Sequence, residues 1–455
     1  MKAKVPENRY TTKKGYKNYR RWNYIRWKPR NPPPAPAPAP APAPPPNDDD
    51  DDEFLEVQMP TPAPSPMSDN NTPVEWMFAY KFNAANFPSD TTSLPHVGIF
   101  GGKKQDYKGH SSQDYVFATS ASPALVKGTG LLGATINDPL GATFGKIYNN
   151  KNYFYVLWND QFHDNPLPLR SAPWGHSKGM LAWNDQGEGM VLQVSTPSWP
   201  ASGSSANPRK NDGNTLGYIN DNNLNYSQHF FSLKLTKSDV KYVLQALNNA
   251  SVLTKLSEPS IVKNGGPTDI QDLVNTLGKT SAITTLVEAT LSSGVKIISK
   301  PTHMAVPPWQ MVSARLNQLD LRVASWWEHP AILSTKSGKI PGCWPEGLGT
   351  PGDEGLGTPG DVDIATSGIW NGTVIGLTGG IGGSNFSHAK IGISKNHSRP
   401  LCIFGDMNQQ GALVGNCSSS QNGRGGIFYV LENKELFTSL TSLLNGDTAP
   451  YYTQI

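Results

Sequence analysis

Residues 174–179 of the chain read WGHSKG, and residues 386–391 read FSHAKI. Each segment places a histidine two positions before a lysine, and each is followed by an apolar segment, a polar turn and a second apolar segment. Because side chains alternate along a strand, the imidazole and the ammonium group of each pair are predicted to project from the same face. The copies lie about 210 residues apart, as expected for a domain built from two similar halves.

These pairs suit displacement at a phosphodiester. One imidazole can attack phosphorus while a second, protonated imidazole donates to the departing oxygen. Two lysines can neutralise the non-bridging oxygens, a role taken elsewhere by metal ions or arginine. The sequence therefore gives His176, Lys178, His388 and Lys390 as candidate catalytic residues, with no metal or other cofactor required. The metal-dependent alternative would use a cluster of Asp160, His163 and Asp164.

Apolar patterning predicts an α/β fold, because strand-like and helical segments alternate from residue 73 onward. The predicted strands are Tyr153–Trp158, Gly179–Trp183, Gly189–Ser195, Val295–Ser299, Lys390–Ser394, Leu401–Phe404 and Gly426–Leu431. The predicted helices are Lys237–Lys255, Asp269–Leu277, Pro308–Leu319 and Lys434–Leu444. With the repeated motif, they indicate halves at residues 73–262 and 263–455, each a mixed β-sheet with flanking helices, sharing a central cleft.

The N-terminal 72 residues differ in composition from the rest. Residues 1–30 carry eleven Lys or Arg and one acidic residue, whereas residues 31–72 carry eight acidic residues and no base. Residues 32–46 alternate Pro and Ala, which favours an extended spacer. We expect 1–72 to be a disordered tail without a core, whose basic, aromatic start is either a nucleic-acid-binding arm or a solvated segment. The remaining chain is nearly neutral, which excludes a histone-like protein.

Other features of the sequence bear on the location of the protein and on its disulfides. No run of 18 apolar residues occurs, so we expect no membrane span, and no apolar segment follows the basic N-terminus as in a secretory signal. The compartment therefore stays undefined. Three cysteines allow one disulfide, and their spacing does not say which two residues form it.

The motifs resemble those of the deoxyribonuclease II family. The resemblance rests on GHSKG at 175–179, SHAK at 387–390, GDMN at 405–408, WNDQ at 158–161, VSTP at 194–197, YSQHF at 226–230 and RGG at 424–426. It implies a phospholipase D-like fold of two α/β halves around one cleft. It also implies endonucleolytic cleavage of double-stranded DNA through a phosphohistidine, favoured by acid, independent of divalent metal, and leaving 3′-phosphate ends.

The same resemblance extends the candidate site. Asp406 and Asn408 would orient or polarise the second half, and Ser195 would be their approximate counterpart in the first half. By analogy with the superfamily, His176 would be the nucleophile and His388 the acid. The sequence departs from the family pattern at Ser198 and in the lengthened segment 411–422.

Three further residues are weaker candidates for substrate binding. Trp174 and Phe386 each precede a candidate histidine by two positions and could stack on bases, although packing beneath the site is the alternative. Arg424 could contact phosphate or serve the glycine-rich turn. His229, in an apolar context, is expected to be a hydrogen-bonded structural histidine.

The acid optimum that the resemblance implies also has a direct physical explanation. Free imidazole titrates near pH 6.5, so nearly all nine histidines would be charged at pH 5. Two other functions stay open: a phospholipase-type phosphodiesterase acting on lipid, and a catalytically silent nucleic-acid-binding protein with the same fold. The sequence does not define the oligomeric state.

Overall fold

The computed structural model describes residues 60–89, 112–133, 137–148, 150–161, 171–197, 225–338, 341–344, 355–380 and 385–453, which belong to one compact unit. The predicted tail up to residue 59, the cluster partners His163 and Asp164, and the departure at Ser198 lie outside these residues.

The first half of the fold is built on an eight-stranded sheet. Its strands are β1 (Trp76–Lys81), β2 (Tyr115–Thr119), β3 (Ser122–Lys127), β4 (Phe154–Asn159), β5 (Lys178–Trp183), β6 (Gly189–Val194), β7 (Gln228–Leu235) and β8 (Val262–Lys263). They lie in the order β3-β2-β1-β7-β6-β5-β4-β8. All of these pairings are antiparallel, so the described part of this half does not contain the expected mixed sheet.

The second half has a seven-stranded sheet and a short hairpin. The strands are β9 (Val287–Thr290), β10 (Lys296–Lys300), β11 (Leu321–Ala324), β12 (Val362–Ile364), β13 (Ser367–Trp370), β14 (Thr373–Gly376), β15 (Ile391–Ser394), β16 (Leu401–Gly405) and β17 (Gly426–Glu432). The sheet order is β12-β11-β15-β16-β17-β10-β9, and β13 pairs with β14. Because β11 and β12 run parallel, this sheet is mixed as predicted.

The two sheets repeat one arrangement. The order β4-β5-β6-β7-β1 in the first sheet corresponds to β11-β15-β16-β17-β10 in the second. The first His-x-Lys motif leads into β5 and the second leads into β15, so the motifs occupy matching places. The predicted fold class, two α/β halves related by an internal repeat, is confirmed.

Five helices flank the sheets in the described part of the chain. They are α1 (Pro139–Tyr148), α2 (Lys237–Asn249), α3 (Thr268–Val274), α4 (Pro308–Arg315) and α5 (Lys434–Leu443). Helix α2 begins at a capping box in which Thr236 and Asp239 satisfy each other's backbone N–H groups. It buries Val240, Val243 and Leu247, one turn apart on a single face. All four predicted helices are present, each shorter at its C-terminal end than the apolar pattern suggested.

Aromatic rings join the two sheets face to face. Phe404 of β16 stacks on Phe78 of β1 with 4.8 Å between ring centroids, and on Phe231 of β7 with 4.3 Å. Tyr429 of β17 lies 5.7 Å from Phe231. These residues belong to one hydrophobic core that spans both halves. The halves are therefore fixed relative to each other, which allows a site to be shared between them.

Two predicted boundaries need correction. Met67 is 2% exposed and its backbone N–H donates to the Thr143 hydroxyl at 2.9 Å, while the Tyr153 hydroxyl donates to the Pro62 carbonyl at 2.9 Å. The segment after residue 59 therefore packs on the first half, because extended Pro-rich backbone exposes carbonyls and Met67 adds an apolar anchor. The boundary placed between residues 262 and 263 falls inside β8, which pairs with β4 of the first sheet.

A disulfide joins Cys343 to Cys417, and Cys402 is a buried free thiol. Among the residues that the structure describes, no helix has both the length and the apolar character needed to cross a bilayer.

Candidate active site

The two histidines of the repeated motif line one pocket of about 170 Å³. Lys390 also lines it, and the remaining wall is formed by Gln161, Ser195, Trp326 and Asn408. Both halves of the fold thus contribute to one concave site, as the sequence predicts.

His176 is held with a defined proton position. Its backbone N–H donates to the Gly425 carbonyl at 2.8 Å, and its Nδ1 lies 2.7 Å from the Asp406 carbonyl oxygen. Because a carbonyl only accepts, Nδ1 carries the proton and Nε2 keeps its lone pair. Burial and the neighbouring Lys178 ammonium hold the pKa of His176 well below its usual value, so the ring is a neutral base.

Lys178 belongs to a buried ionic network. Its Nζ lies 2.6 Å from Asp160, which is 1% exposed, and the second oxygen of Asp160 lies 2.7 Å from Arg424 Nη2. Burial alone would raise the pKa of Asp160, but the two cations hold it well below its ordinary value. Both oxygens of Asp160 are thus engaged by cations, while His163 and Asp164, the other members of the metal cluster considered from sequence, lie outside the described residues.

Arg424 does not reach the pocket. Its Nε donates to the Trp174 carbonyl and its Nη2 to the Gly175 carbonyl, both at 2.9 Å, in addition to its pairing with Asp160. Of the two roles considered for Arg424, these bonds favour support of the turn and of the segment that carries His176. Trp174 is likewise not among the pocket-lining residues, which favours packing over stacking on bases.

His388 has the opposite proton arrangement. The backbone N–H of His229 donates to Ser195 Oγ at 2.8 Å, so the Ser195 hydroxyl directs its own proton to Gln228 Oε1 at 2.7 Å. That bond orients the Gln228 amide so that Nε2 faces His388 Nδ1 at 3.5 Å. An amide nitrogen only donates, so Nδ1 of neutral His388 is the acceptor and the ring proton lies on Nε2.

Aromatic rings surround His388. Trp326 lies edge-to-face with it at 4.4 Å between centroids, and Tyr226 lies at 5.0 Å. Phe386 packs behind them, 6.1 Å from Tyr226, and does not line the pocket. The alternative reading of Phe386, packing beneath the site, is the one observed. Burial and then Lys390 hold the pKa of His388 well below its usual value.

Lys390 is 3% exposed, and its Nζ donates to the carbonyl of His388. Burial, followed by repulsion from Lys178, holds its pKa well below the ordinary value. The backbone N–H of Lys390 donates to Nδ1 of His229 at 3.1 Å, which confirms His229 as a hydrogen-bonded structural histidine. Burial and then Lys390 lower the pKa of His229 to about 3. The expectation that nearly all histidines charge at pH 5 is wrong for His229, and the pKa values of both pocket histidines are lowered as well.

Asp406 acts across the two halves. Its carbonyl orients His176 of the first half rather than the second-half residues expected, while its carboxylate accepts from Ile427 N at 3.0 Å and Gln193 Nε2 at 3.1 Å. Burial raises its pKa to about 7. Ser195 is the counterpart of Asp406 in the first half. Its hydroxyl accepts from the backbone N–H of His229, just as the Asp406 carboxylate accepts from the backbone N–H of Ile427.

Asn408 lies on the pocket wall, and its Nδ2 donates to Gln410 Oε1 at 2.8 Å. Sequence reasoning missed Gln161, Gln228 and Trp326 as parts of the site. Gln161 and Gln228 stand within the quoted WNDQ and YSQHF segments, which is a usable signal. Nothing in the sequence around Trp326 marks it.

A two-halved α/β fold whose paired histidines meet in one pocket defines a phosphodiesterase. The family model for Deoxyribonuclease II matches residues 65–339, which is more than half of the chain. The chain therefore belongs to the deoxyribonuclease II family and is a DNA-hydrolysing phosphodiesterase. The matched range contains the first motif and ends before the second, which the fold brings to the same pocket.

The chain is also similar to individual proteins. The chain is 23% identical over 342 residues to Cell-death-related nuclease 7 of Caenorhabditis elegans, covering 72% of this chain and 78% of that protein. It is 29% identical over 140 residues to Deoxyribonuclease-2-alpha of Bos taurus, covering 30% and 33% of the two chains. The crystal structure of yeast tyrosyl-DNA phosphodiesterase aligns with a TM-score of 0.30 and 10% identity, over 64% of this chain and 87% of that one.

Proposed function

We propose that this protein is an acid-favoured, metal-independent DNA endonuclease that forms a phosphohistidine and leaves 3′-phosphate ends. The observation that carries the proposal is that both motif histidines line one pocket, with Nδ1 of His176 bonded to the Asp406 carbonyl. His176 thus offers a lone pair at Nε2, and His388 in its protonated form supplies the proton that the departing oxygen requires.

In the first step, Nε2 of His176 attacks phosphorus and the P–O5′ bond breaks. Nε2 of His388 gives its proton to the departing O5′, and the 3′-side phosphate stays on His176. In the second step, His388 takes a proton from water as the water attacks phosphorus, and His176 is released with a 3′-phosphate product. The Asp406 carbonyl stabilises the proton on Nδ1 of His176 throughout.

The two lysines supply the positive charge that the transition state needs. Lys178 is fixed by Asp160 at 2.6 Å, and Lys390 is fixed by the His388 carbonyl. Burial and then repulsion from Lys178 lower the pKa of Lys390. A phosphodiester anion between them would relieve that repulsion, so charge stabilisation is built in before substrate binds.

Acid dependence follows from the two histidine pKa values. The lowered pKa of His176 keeps the nucleophile neutral at acid pH. His388 must be protonated to act as an acid. Because its pKa is lowered, the protonated form is lost at ordinary pH. The bound phosphate offsets the lysine charges that depress the His388 pKa. Activity should therefore rise as pH falls, until His176 itself is protonated.

End-group analysis tests the overall reaction. Plasmid or duplex DNA digested at pH 5 in EDTA should carry 3′-phosphate and 5′-hydroxyl ends, and an alkaline quench should trap label on His176. His303→Asn changes an exposed histidine outside the pocket, so this control variant should give the same ends and the same trapped label as the wild type. Full activity at pH 8 only after addition of magnesium would overturn the proposal, and absence of any turnover would favour the silent binding protein.

A sulfur leaving group tests the two roles separately. A 5′-phosphorothiolate linkage releases a thiolate, which needs no proton from the enzyme. His388→Ala should lose several orders of magnitude on normal DNA and recover most of the first-step burst on the sulfur-bridged substrate. His176→Ala should remain inactive on both. Equal rescue of both variants would remove the role assignment while leaving the nuclease activity intact.

A further inference from the structure

The aromatic wall of the pocket lies only on the side of His388 among the residues described. Trp326 lines the pocket 4.4 Å from that ring, whereas the other neutral groups on the wall are the polar side chains of Gln161, Ser195 and Asn408. The aromatic surface of the pocket thus lies beside one of the two motif histidines. A nucleoside bound on the His388 side would meet it, and no other aromatic side chain besides the histidines lines the pocket among the residues described.

Trp326 is held in one orientation from behind. A Cβ atom on Gly379 would lie 2.2 Å from the indole, so the glycine backbone lies directly against the ring. Tyr226 and Phe386 meet the indole edge-to-face at 5.8 and 6.3 Å between centroids. Trp326 is half-buried, and it is one of the residues that line the pocket. A fixed, partly exposed aromatic surface loses little entropy when a planar ligand packs on it.

We propose that Trp326 is the contact surface for the nucleoside on the leaving side of the scissile bond, the one whose O5′ departs. The proposal rests on the proposed function, because it requires His388 to be the group that protonates O5′. The acid must lie within hydrogen-bonding distance of that oxygen, and the attached deoxyribose and base then extend past His388 toward the indole. The ligand class is a 5′-O-linked nucleoside, recognised through ring stacking and without sequence readout.

Trp326 differs from the two aromatic residues that the sequence offers as possible stacking partners. Trp174 contributes its carbonyl to Arg424, and Phe386 supports Trp326 from behind. Trp326 instead comes from the segment just after β11, far from either His-x-Lys motif in sequence. The subsite therefore depends on the packing of the second half and not on a local motif.

A pairing of enzyme variants with modified substrates tests the subsite. The substrates are short oligonucleotides whose linkages are methylphosphonates except for one phosphodiester, so that only one bond is cleaved. One version is unmodified, one lacks the base on the leaving side, and one lacks the base on the attacked side. Each is assayed at pH 5 in EDTA with the wild type, Trp326→Phe and Trp326→Ala.

Trp326→Ala should lower kcat/KM roughly tenfold on the unmodified substrate and on the one without the attacked-side base. It should change kcat/KM less than about twofold when the leaving-side base is absent, and Trp326→Phe should retain most of the activity. Equal losses on all three substrates would mean that Trp326 only supports His388, and would overturn the subsite.

The wild type alone supplies a second measurement if Trp326→Ala does not fold. Removal of the leaving-side base should cost roughly tenfold more kcat/KM than removal of the attacked-side base. The opposite ranking would overturn the inference. Cleavage of none of the substrates by the wild type would count against the proposed function itself, which separates the two failures.

Discussion

Lys81 and Lys300 occupy equivalent positions in the two halves. Each is the last residue of its strand, β1 or β10, and each is fully buried. Lys81 Nζ donates to the Tyr226 carbonyl at 2.6 Å, and Lys300 Nζ donates to the Arg424 carbonyl at 2.8 Å. These carbonyls belong to the segments entering β7 and β17, which also supply the backbone acceptors of the two pocket histidines. Twin buried lysines thus position both sides of the site.

Replacing Lys300 with methionine should change how stability depends on pH. Burial lowers its pKa to about 7 in the native state, whereas the unfolded chain keeps the proton to about pH 10.5. The unfolded state therefore binds more protons between these values, and wild-type stability should rise with pH across that window. Urea unfolding should be measured from pH 7 to pH 10. The free energy of unfolding of Lys300→Met should rise less steeply with pH than that of the wild type, by about 1.4 kcal/mol per pH unit. Parallel curves would contradict the prediction, and exposed Lys279→Met is the matched control.

Asp160→Asn should damage both stability and catalysis. The substitution leaves the buried cations of Lys178 and Arg424 without a counter-charge at 2.6 and 2.7 Å. Breaking a buried pair in this way costs about 3–5 kcal/mol. Denaturant unfolding and DNA cleavage should both report the loss. Asp269→Asn removes an exposed partner of Lys237 and Lys241, and should change the free energy of unfolding by less than about 0.5 kcal/mol.

Asp406→Asn separates the side chain of this residue from its backbone. Burial raises the pKa of the carboxyl to about 7, so its contribution to stability is present in acid and is lost as pH rises through 7. The advantage of the wild type over the variant in unfolding free energy should therefore shrink between pH 4 and pH 8. The carbonyl that orients His176 is retained, so the variant should lose far less activity than His176→Ala. A difference in stability that does not vary with pH would refute the titration.

Gln228→Glu should move the pH profile of cleavage. A carboxylate facing Nδ1 of His388 would stabilise its charged form and raise its pKa by about 1–3 units. The alkaline limb of kcat/KM should shift upward accordingly, while Gln228→Met should lower the rate without that shift. The glutamate can still accept from Ser195, which makes it the conservative variant. An unchanged limb would show that Gln228 does not face the acid.

The sequence carries much of the fold and the positions of both motifs. His176 and His388 stand out because each belongs to a His-x-Lys motif followed by an apolar strand. Each of these patterns can be recognised within a short segment of the sequence. Helix α2 is equally readable from its Thr236 cap and its apolar stripe. Residue types and their spacing along the chain are therefore enough to predict both histidines of the proposed mechanism.

The connections between halves are not readable in the same way. The carbonyl of Asp406 reaches His176 across 230 positions, and a backbone acceptor leaves no trace in residue type. Arg424 looked like a phosphate ligand because it is basic and lies beside glycines, yet its donors are used by Asp160 and two carbonyls. Trp326 was missed because its role depends on packing against Gly379 and His388.

A duplicated segment of the sequence gives a prediction about tolerance to deletion. Residues 346–353 read EGLGTPGD, and residues 354–361 repeat it. The second copy makes contacts in its described part: the Gly355 carbonyl accepts from Arg315, and the Gly360 N–H donates to Ser313 at 2.8 Å. The first copy lies outside the described residues. A chain with one copy could still make each of these contacts.

Deletion of residues 346–353 should therefore change the free energy of unfolding by no more than about 1 kcal/mol, close to the loop-closure effect of shortening the connection. The remaining link is long enough, because the Trp344 indole N–H already donates to the Gly357 carbonyl at 3.2 Å. The described residues on the two sides of this connection thus approach within one side chain's reach. Deletion of residues 346–361 is the control, since it also removes the contacts to Arg315 and Ser313 and should destabilise strongly. Thermal unfolding of both variants decides the matter, and comparable losses in the two would show that the first copy is structural.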